Sequence, residues 1–187
     1  MKPAAFLGAF ASPADLPPGY DRRFVCVGRS NVGKSSFVNA LTGTRISRTS
    51  ATPGRTQTIN AFAVAPRTML VDLPGYGFAK QSKSQRELLE SRIYQTLTEL
   101  RPLTRLFLLI DANVGLTALD QEMLAFLQTE GIPFTILANK ADKLNQKERA
   151  AQERLLKTHL PEGVPAIFCS TLKETGLAEV RNEVFGT

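Results

Sequence analysis

One segment of eight residues, Gly28–Ser35 (GRSNVGKS), constrains the fold of this chain more than any other feature. It matches the pattern G-x-x-x-x-G-K-[ST] and stands between an apolar run, Phe24–Gly28, and a segment of helical periodicity, Lys34–Leu41. A glycine-rich turn between a strand and a helix directs backbone N–H groups and the helix N-terminus towards phosphate oxygens. We therefore expect Lys34 to reach the β- and γ-phosphates of a nucleotide and Ser35 to ligate Mg²⁺.

The other apolar runs alternate between strand-like and helical patterns, which is typical of an α/β fold. The predicted strands are Phe24–Gly28, Ile59–Ala65, Thr68–Leu73, Leu106–Ile110, Pro133–Ala138 and Ala166–Cys169. The predicted helices are Lys34–Leu41, Ser84–Leu100, Leu119–Thr129, Gln146–Leu160 and Leu177–Phe185. Only a short bend separates the second and third strands, so these two must be antiparallel. The patterns predict a three-layer fold, with a mixed six-stranded sheet, one antiparallel edge strand and helices on both faces.

Length and composition indicate a single domain. The chain has 187 residues, of which 43% are hydrophobic, and this is enough to form one core. We expect residues 21–187 to form the domain and the proline-interrupted segment 1–20 to be a loosely packed leader. No apolar run approaches the roughly 20 residues that a membrane span needs. Two cysteines, Cys26 and Cys169, and one histidine favour neither a disulfide framework nor a zinc site, which fits a cytoplasmic protein.

A second motif, Asp72-Leu73-Pro74-Gly75, ends the third predicted strand. A carboxylate at this strand end can hold a water bound to Mg²⁺. Gly75 can offer its N–H to a γ-phosphate and can flip when that group leaves. The pattern D-x-x-G is common in proteins and indicates no site by itself. Here it indicates a phosphate site because it follows a predicted strand and lies after the phosphate loop in the chain.

Two further motifs follow the last two predicted strands. In Asn139-Lys140-Ala141-Asp142, the Asp142 carboxylate can accept from both N1–H and the exocyclic amine of guanine. Adenine offers no such pair of donors, so this motif favours GTP over ATP. We expect Asn139 to tie this segment to the phosphate loop and Lys140 to lie along the base. The segment Ser170–Leu172 can meet the guanine O6 with backbone N–H groups, a weak signal when taken alone.

The long segment Leu41–Thr58 has little periodicity, and loops of this length inside a domain are usually functional or disordered. Within it, Thr56 can complete the Mg²⁺ coordination when a γ-phosphate is present, because the preceding Pro-Gly turn can fold the chain over the phosphates. Thr52 and Thr58 remain alternatives. Such a loop would be a switch that GTP orders and hydrolysis releases.

Five motifs in this order at strand ends predict a Ras-like GTPase that hydrolyses GTP to GDP and phosphate with Mg²⁺. Lys34, Thr56 and Gly75 are its candidate catalytic residues, and Ser35 and Thr56 its candidate Mg²⁺ ligands. The candidate GTP-binding residues are Gly28, Arg29, Ser30, Asn31, Val32, Gly33, Lys34, Ser35, Gly54, Arg55, Thr56, Gln57, Thr58, Asp72, Leu73, Pro74, Gly75, Asn139, Lys140, Ala141, Asp142, Ser170, Thr171 and Leu172. Two alternatives remain open: a small-molecule kinase with a phosphate loop, and an RNA-binding module that uses GTP only structurally.

The strings GRSNVGKSS, TPGRTQ and DLPGYGFAK together resemble the EngB (YihA/YsxC) family of bacterial ribosome-biogenesis GTP-binding proteins. The resemblance extends from about Asp21 to the last predicted helix. One departure is Asn139, where the family usually has Thr. The resemblance implies a single GTPase domain, GTP and Mg²⁺ binding, a role in large ribosomal subunit assembly, and a link to normal cell division and septation.

Tyr76 stands directly after the D-x-x-G motif, where Ras-type enzymes place the glutamine that orients the attacking water. Tyrosine cannot do this, so we expect slow intrinsic hydrolysis. One source of the catalytic group is a K⁺ ion held beside Asn31, which would do the charge work of an arginine finger. The other source is the ribosomal particle. Alternatively, Asn31 only braces the phosphate loop.

The positive charge of the chain is unevenly distributed. The net charge is +6, but residues 1–105 contain 15 Lys+Arg against 6 Asp+Glu, whereas residues 106–187 contain 8 against 11. A basic excess around the switch loops suits contacts to RNA phosphates, which dominate the affinity of such interfaces. We expect a monomer that binds rRNA in a precursor of the large subunit. The candidate contacts are Arg45, Arg48, Arg55, Lys80, Lys83, Arg86 and Arg92.

Overall fold

The computed structural model describes residues 4–47, 58–77 and 82–186, except for the side chains of Lys83 and Arg86. Within these ranges the chain forms seven strands and five α-helices. The strands are β1 (Ala5–Phe10), β2 (Arg22–Gly28), β3 (Ile59–Ala65), β4 (Thr68–Asp72), β5 (Arg105–Asp111), β6 (Phe134–Asn139) and β7 (Ala166–Phe168). The helices are α1 (Lys34–Thr42), α2 (Lys83–Glu99), α3 (Ala118–Thr129), α4 (Gln146–His159) and α5 (Ala178–Phe185).

The strands form one mixed sheet in the order β1-β3-β4-β2-β5-β6-β7. β3 is antiparallel to both of its neighbours, and the pairs from β4 through β7 are parallel. The predicted α/β fold is therefore confirmed, but the prediction of six strands is wrong. The seventh strand, β1, lies within the segment 1–20, which was expected to be a leader. Because β1 covers β3, the reversed strand is not at the edge of the sheet, as was predicted.

Helices cover both faces of the sheet, as predicted. On one face, α2, α3 and α4 pack against alternate strand residues such as Val25 and Val27. On the other face, α1 and α5 pack against the intervening strand residues, such as Phe24 and Cys26. This alternation follows from the two-residue period of a strand, and apolar side chains on both faces are typical of a parallel sheet that is buried on both sides.

The helix starts carry local signals that the sequence encodes directly. Ser82, Thr117 and Asn145 each cap a helix, and the side chain three positions later accepts a hydrogen bond from the backbone N–H of the cap. This reciprocal arrangement satisfies two N–H groups that a helix leaves unpaired at its N-terminus. The observed helices accordingly begin within one residue of the predicted ones.

Parallel strands place their carboxyl ends at one edge of the sheet, and the segments that follow β2, β4, β6 and β7 meet there. These segments contain the phosphate loop, the D-x-x-G motif, Asn139–Asp142 and Ser170–Leu172.

Both cysteines are buried and free. In the described part of the chain, no helix has both the length and the apolar character needed to cross a membrane.

Candidate nucleotide-binding site

The phosphate loop between β2 and α1 fits tightly against its neighbours, and two positions require glycine. A Cβ atom on Gly28 would lie 2.4 Å from the carbonyl oxygen of Leu109 in β5. A Cβ atom on Gly33 would lie 2.4 Å from Nδ2 of Asn139, and Gly33 also has a φ of +105°. The motif therefore uses glycine where the backbone approaches a neighbouring segment closely or adopts a left-handed conformation.

Lys34 begins helix α1, and its ammonium group lies within the loop that precedes it. Nζ donates to the carbonyl oxygens of Gly28 (3.0 Å) and Arg29 (3.3 Å). Burial lowers the pKa of Lys34, and the nearby Asp72 carboxylate partly opposes this shift. The following residue, Ser35, is half-buried in the first turn of α1. An ammonium group and a helix N-terminus therefore face the same loop, which suits a bound anion.

The D-x-x-G segment after β4 lies directly against the phosphate loop. The Ser30 N–H donates to the carbonyl oxygen of Tyr76 at 2.9 Å, and the Ser30 hydroxyl donates to that of Gly75 at 3.4 Å. A Cβ atom on Gly75 would lie 2.8 Å from Lys34 Nζ and 2.9 Å from Ser30 N. Gly75 is therefore held beside the ammonium group that is expected to bind the terminal phosphates.

Asp72, the last residue of β4, is buried with an unsatisfied oxygen. Its Oδ1 atom has no hydrogen-bond partner among the described residues. Burial raises the pKa of Asp72 to about 6, and the Lys34 ammonium opposes this shift. An orphaned buried carboxylate oxygen is costly and suits a hydrogen bond from a water or hydroxyl group that a ligand brings.

Among the described residues, no group of three or more His, Cys, Asp and Glu side chains could hold a metal by itself. A metal ion here would need other oxygen ligands, such as the Ser35 hydroxyl and the oxygens of a bound phosphate. Mg²⁺ prefers this kind of site, with few protein ligands and several oxygens from waters and phosphates. The residues present therefore fit Mg²⁺.

Asn139 joins three segments at the carboxyl edge of the sheet. Its side-chain N–H donates to the carbonyl oxygen of Val32 at 2.9 Å, and its Oδ1 accepts from the N–H of Thr171 at 3.1 Å. Lys140 Nζ donates to the carbonyl oxygen of Asn31 at 2.9 Å and to Asp111 Oδ2 at 2.7 Å. The expected tie between this motif and the phosphate loop is present and comes from both residues.

The Asp142 carboxylate is exposed and is oriented by the segment after β7. Its Oδ1 accepts from the Ser170 hydroxyl at 2.5 Å. Ala141 lies between Lys140 and Asp142, and its N–H bonds the carbonyl oxygen of Cys169. Leu172, two residues after Ser170, is 80% exposed. An oriented carboxylate can bind the edge of a base, and an exposed apolar side chain can pack on its face.

Several predicted residues lie outside the described part of the chain or away from these contacts. Gly54, Arg55, Thr56 and Gln57, with the alternative Thr52, lie outside the described residues, as do Arg48 and Lys80. Thr58 precedes β3 and, with Leu73 and Pro74, lines a groove of about 460 Å³ that extends along α2.

Two residues of the candidate site were not predicted from the sequence. Asp111 is the partner of Lys140. Asp120 accepts a hydrogen bond at Oδ1 from the buried Tyr76 hydroxyl at 2.8 Å. Asp111 could have been found, because it ends β5 at the same sheet edge as the other motifs. Asp120 carries a local signal only for the start of α3, since the pattern Thr-x-x-Asp is a capping box.

Comparisons with known proteins show the family of the chain. Residues 23–140 match the family described as 50S ribosome-binding GTPase. The chain is 42% identical over 186 residues to the probable GTP-binding protein EngB of Ruegeria pomeroyi, covering 96% of this chain and 85% of that one.

Solved structures show the same fold. The crystal structure of a probable GTP-binding protein EngB superposes with a TM-score of 0.71 at 24% identity, over 88% of this chain and 97% of that one. A structure of Era with MgGDPNP and a segment of 16S ribosomal RNA gives a TM-score of 0.67 at 25% identity, over 85% of this chain and 54% of that one. Since the Ruegeria relative is well above 30% identical over almost the whole chain, the family follows directly: the protein belongs to the EngB GTP-binding proteins, P-loop GTPases that hydrolyse GTP.

Proposed function

We propose that this GTPase acts as a nucleotide-dependent switch in the assembly of the large ribosomal subunit, and through it supports normal cell division and septation. The observation that carries the proposal is the contact between the two phosphate-facing segments. Ser30 of the phosphate loop bonds Gly75 and Tyr76 of the D-x-x-G segment. A γ-phosphate beside Lys34 would therefore contact the D-x-x-G segment, and this segment leads towards α2. The family description, 50S ribosome-binding GTPase, supports the large subunit as the partner.

In this proposal, GTP lies across the carboxyl edge of the sheet. The phosphate loop and Lys34 bind the phosphates, and the Asp142 carboxylate accepts from the guanine edge. Leu172 and the Lys140 stem flank the base, and the backbone N–H groups of Ser170–Leu172 face its O6 atom. Asn139 fixes the distance between the phosphate and base subsites, because it bonds both Val32 and Thr171.

Ser35 and Thr56 would hold Mg²⁺, and the orphaned Asp72 Oδ1 would accept a hydrogen bond from a water bound to the metal. When bound, Mg²⁺ neutralises charge on the β- and γ-phosphates. Lys34 would add positive charge on the same side, and Gly75, which lies beside Lys34 Nζ, would donate its N–H to the γ-phosphate. Tyr76 is 2% exposed and bonds Asp120, so it cannot orient water as the Ras glutamine does.

Because Tyr76 cannot orient the attacking water, we expect slow intrinsic hydrolysis of GTP. We propose a K⁺ ion beside Asn31 as one group that accelerates this reaction. Asn31 is exposed in the phosphate loop with a φ of +64°. Its carbonyl oxygen accepts from Lys140, and we propose its side-chain oxygen as the K⁺ ligand. We expect hydrolysis to be faster in KCl than in NaCl at equal ionic strength. Equal rates would leave the ribosomal particle as the remaining source of the catalytic group.

The rRNA contact is expected on the basic half of the chain. Among the candidates there, the structure describes the side chains of Arg45 and Arg92, whereas the side chains of Lys83 and Arg86 lie outside the described part. Phosphate contacts release counterions, so the affinity for the large subunit should fall steeply with salt. The proposed state is a cytoplasmic monomer that binds no membrane.

Co-sedimentation with purified large-subunit precursors tests the proposal directly. The same protein is measured with GDP and with a non-hydrolysable GTP analogue at two salt concentrations. We expect stronger co-sedimentation with one of the two nucleotides and a loss of binding at high salt. Equal co-sedimentation with both nucleotides would remove the switch from the account.

A further inference from the structure

Tyr76 is a large polar side chain that is buried. It stands at the position where Ras-type enzymes place the glutamine that orients the attacking water. Its hydroxyl donates to Asp120 Oδ1 at 2.8 Å, and the exposed fractions of the two residues are 2% and 1%. They are 44 residues apart in sequence and join the D-x-x-G segment to the start of helix α3. A hydrogen bond from a hydroxyl to a buried carboxylate is among the stronger ones in proteins.

The other carboxylate oxygen of Asp120 is also engaged. Oδ2 accepts from the Thr117 N–H at 3.0 Å and from the Thr117 hydroxyl at 2.7 Å. The Arg29 guanidinium of the phosphate loop lies 3.9 Å from the same oxygen. One buried carboxylate therefore contacts the D-x-x-G segment, the phosphate loop and the cap of α3.

The backbone of the D-x-x-G segment is held on its opposite side by the phosphate loop. The Tyr76 carbonyl oxygen accepts from the Ser30 N–H, and Gly75 lies so close to Lys34 Nζ that a Cβ atom would be 2.8 Å away. Gly77 provides a second contact to α3, since a Cβ atom there would be 2.8 Å from Leu119 Cδ1. Tyr76 thus fixes the residue beside it, Gly75, from the interior of the protein.

We propose that Asp120, acting through the Tyr76 hydroxyl, is a positioning residue that holds Gly75 where its N–H meets the γ-phosphate, so that this buried pair increases the affinity for GTP relative to GDP. The inference rests on the nucleotide site proposed above. GDP lacks the γ-phosphate, so its binding does not depend on where Gly75 is held. Only an interaction that differs between the two nucleotides can shift the equilibrium between them.

The test compares dissociation constants for GDP and for a GTP analogue with an imido bridge between the β- and γ-phosphates, measured by calorimetry with Mg²⁺. Tyr76→Phe removes the hydroxyl and keeps the buried ring. We expect the analogue to bind about tenfold more weakly, a change of about 1.4 kcal/mol. The GDP affinity should stay within about threefold of the wild-type value.

Four further variants separate positioning from general destabilisation. Asp120→Ala removes the acceptor and should reduce the ratio of analogue to GDP affinity as Tyr76→Phe does. The double variant should show little further loss in this ratio, because either single change already deletes the Tyr76–Asp120 hydrogen bond. Asp120→Ala also deletes the two hydrogen bonds from Thr117, and this loss should lower the melting temperature rather than the ratio. Asp120→Asn can still accept a hydrogen bond from the Tyr76 hydroxyl. Its ratio of analogue affinity to GDP affinity should therefore be closer to that of the wild type than to that of Asp120→Ala. Tyr20→Phe is the matched control, because Tyr20 is a partly buried tyrosine that precedes β2, at the end of the strand opposite to the phosphate loop.

Two results would overturn the inference: equal losses of GDP and analogue affinity in Tyr76→Phe, or an unchanged ratio in both single variants. A lower melting temperature with an unchanged ratio would show a purely structural role and counts as the second of these results. Failure of the wild-type protein to bind either nucleotide would instead refute the nucleotide site itself.

Discussion

Replacement of Asn139 by alanine is the change from which we expect the clearest combined effect on stability and binding. The Asn139 side chain is 1% exposed and makes one hydrogen bond to the phosphate loop and one to the segment after β7. Asn139→Ala leaves the carbonyl oxygen of Val32 and the N–H of Thr171 without these partners. Val32 is buried, whereas Thr171 is half-buried and partly accessible to water.

The magnitude follows from these two groups. A buried polar group that loses its partner costs about 1–3 kcal/mol, and the cost is lower where water can replace the partner. We therefore expect a loss of about 3 kcal/mol in the free energy of unfolding. For a domain of this size, 1 kcal/mol corresponds to about 2–4 °C, so the melting temperature should fall by about 6–12 °C.

The same change should weaken nucleotide binding without changing the preference between nucleotides. In the proposed site, Val32 belongs to the phosphate subsite and Thr171 to the base subsite, and both GDP and GTP would span the two. We expect both affinities to fall by about tenfold or more in calorimetric titrations. This differs from the result expected for Tyr76→Phe, where only the GTP analogue is affected.

Leu156→Ala provides the matched control for stability. Leu156 is 2% exposed on α4, and its truncation should cost about 2–5 kcal/mol through lost packing. Its nucleotide affinities should stay close to the wild-type values at a temperature where the protein is folded. If Asn139→Ala lowered the melting temperature and left both affinities unchanged, the idea that Asn139 sets the distance between the two subsites would be refuted.

Three other predictions concern single positions of the site. Gly33→Ala should abolish nucleotide binding and destabilise the protein, because its φ is +105° and its Cβ atom would lie 2.4 Å from Asn139 Nδ2; tight binding by this variant would contradict the close packing of the loop. Asp142→Asn should lower GTP affinity by a factor of about 100 or more, since the amide cannot accept from both guanine donors, and competition with ATP measures the lost selectivity. The pKa of Asp72 is raised to about 6 in the folded protein from 3.8, so the folded state binds more protons than the unfolded state between these values. The nucleotide-free protein should therefore lose about 2–3 kcal/mol of stability as pH rises from 4 to 7, and chemical denaturation should show this loss in the wild type but not in Asp72→Asn.

Most of the sheet and the site could be predicted because they rest on local signals. Apolar runs such as Leu106–Ile110 are too short for helices and end at motif residues. Since parallel strands share one carboxyl edge, strand ends alone place the phosphate loop, Asp72 and Asn139 together. Helix starts follow from caps three residues before their partners, as at Ser82.

Strand β1 was missed because its stability is not local. The segment Ala5–Phe10 contains Gly8, where the register with β3 shifts, and prolines stand on both sides of it. Its order comes from pairing with Ile59–Ala65, and the paired residues are 49 to 58 positions apart in sequence. Long-range pairing of this kind leaves no periodic signal in a short edge strand.

The role of Tyr76 could be predicted only in part. The sequence shows that a tyrosine replaces the expected glutamine, but it does not show where the side chain goes. Its partner Asp120 is 44 residues away and already serves the cap of α3, which explains that aspartate without reference to the nucleotide. Only the three-dimensional structure joins the two residues.

In the proposed switch, the same loops respond to the γ-phosphate and to the large ribosomal subunit. Thermodynamic linkage makes this testable, because a nucleotide that strengthens subunit binding must itself bind more tightly when the subunit is present, by the same factor. The most direct measurement is the dissociation constant of the GTP analogue and of GDP, each with and without saturating large-subunit precursors. We expect the analogue-to-GDP affinity ratio to change by at least about fivefold when the precursor is added. An unchanged ratio, with binding to the precursor demonstrated in the same sample, would contradict the account.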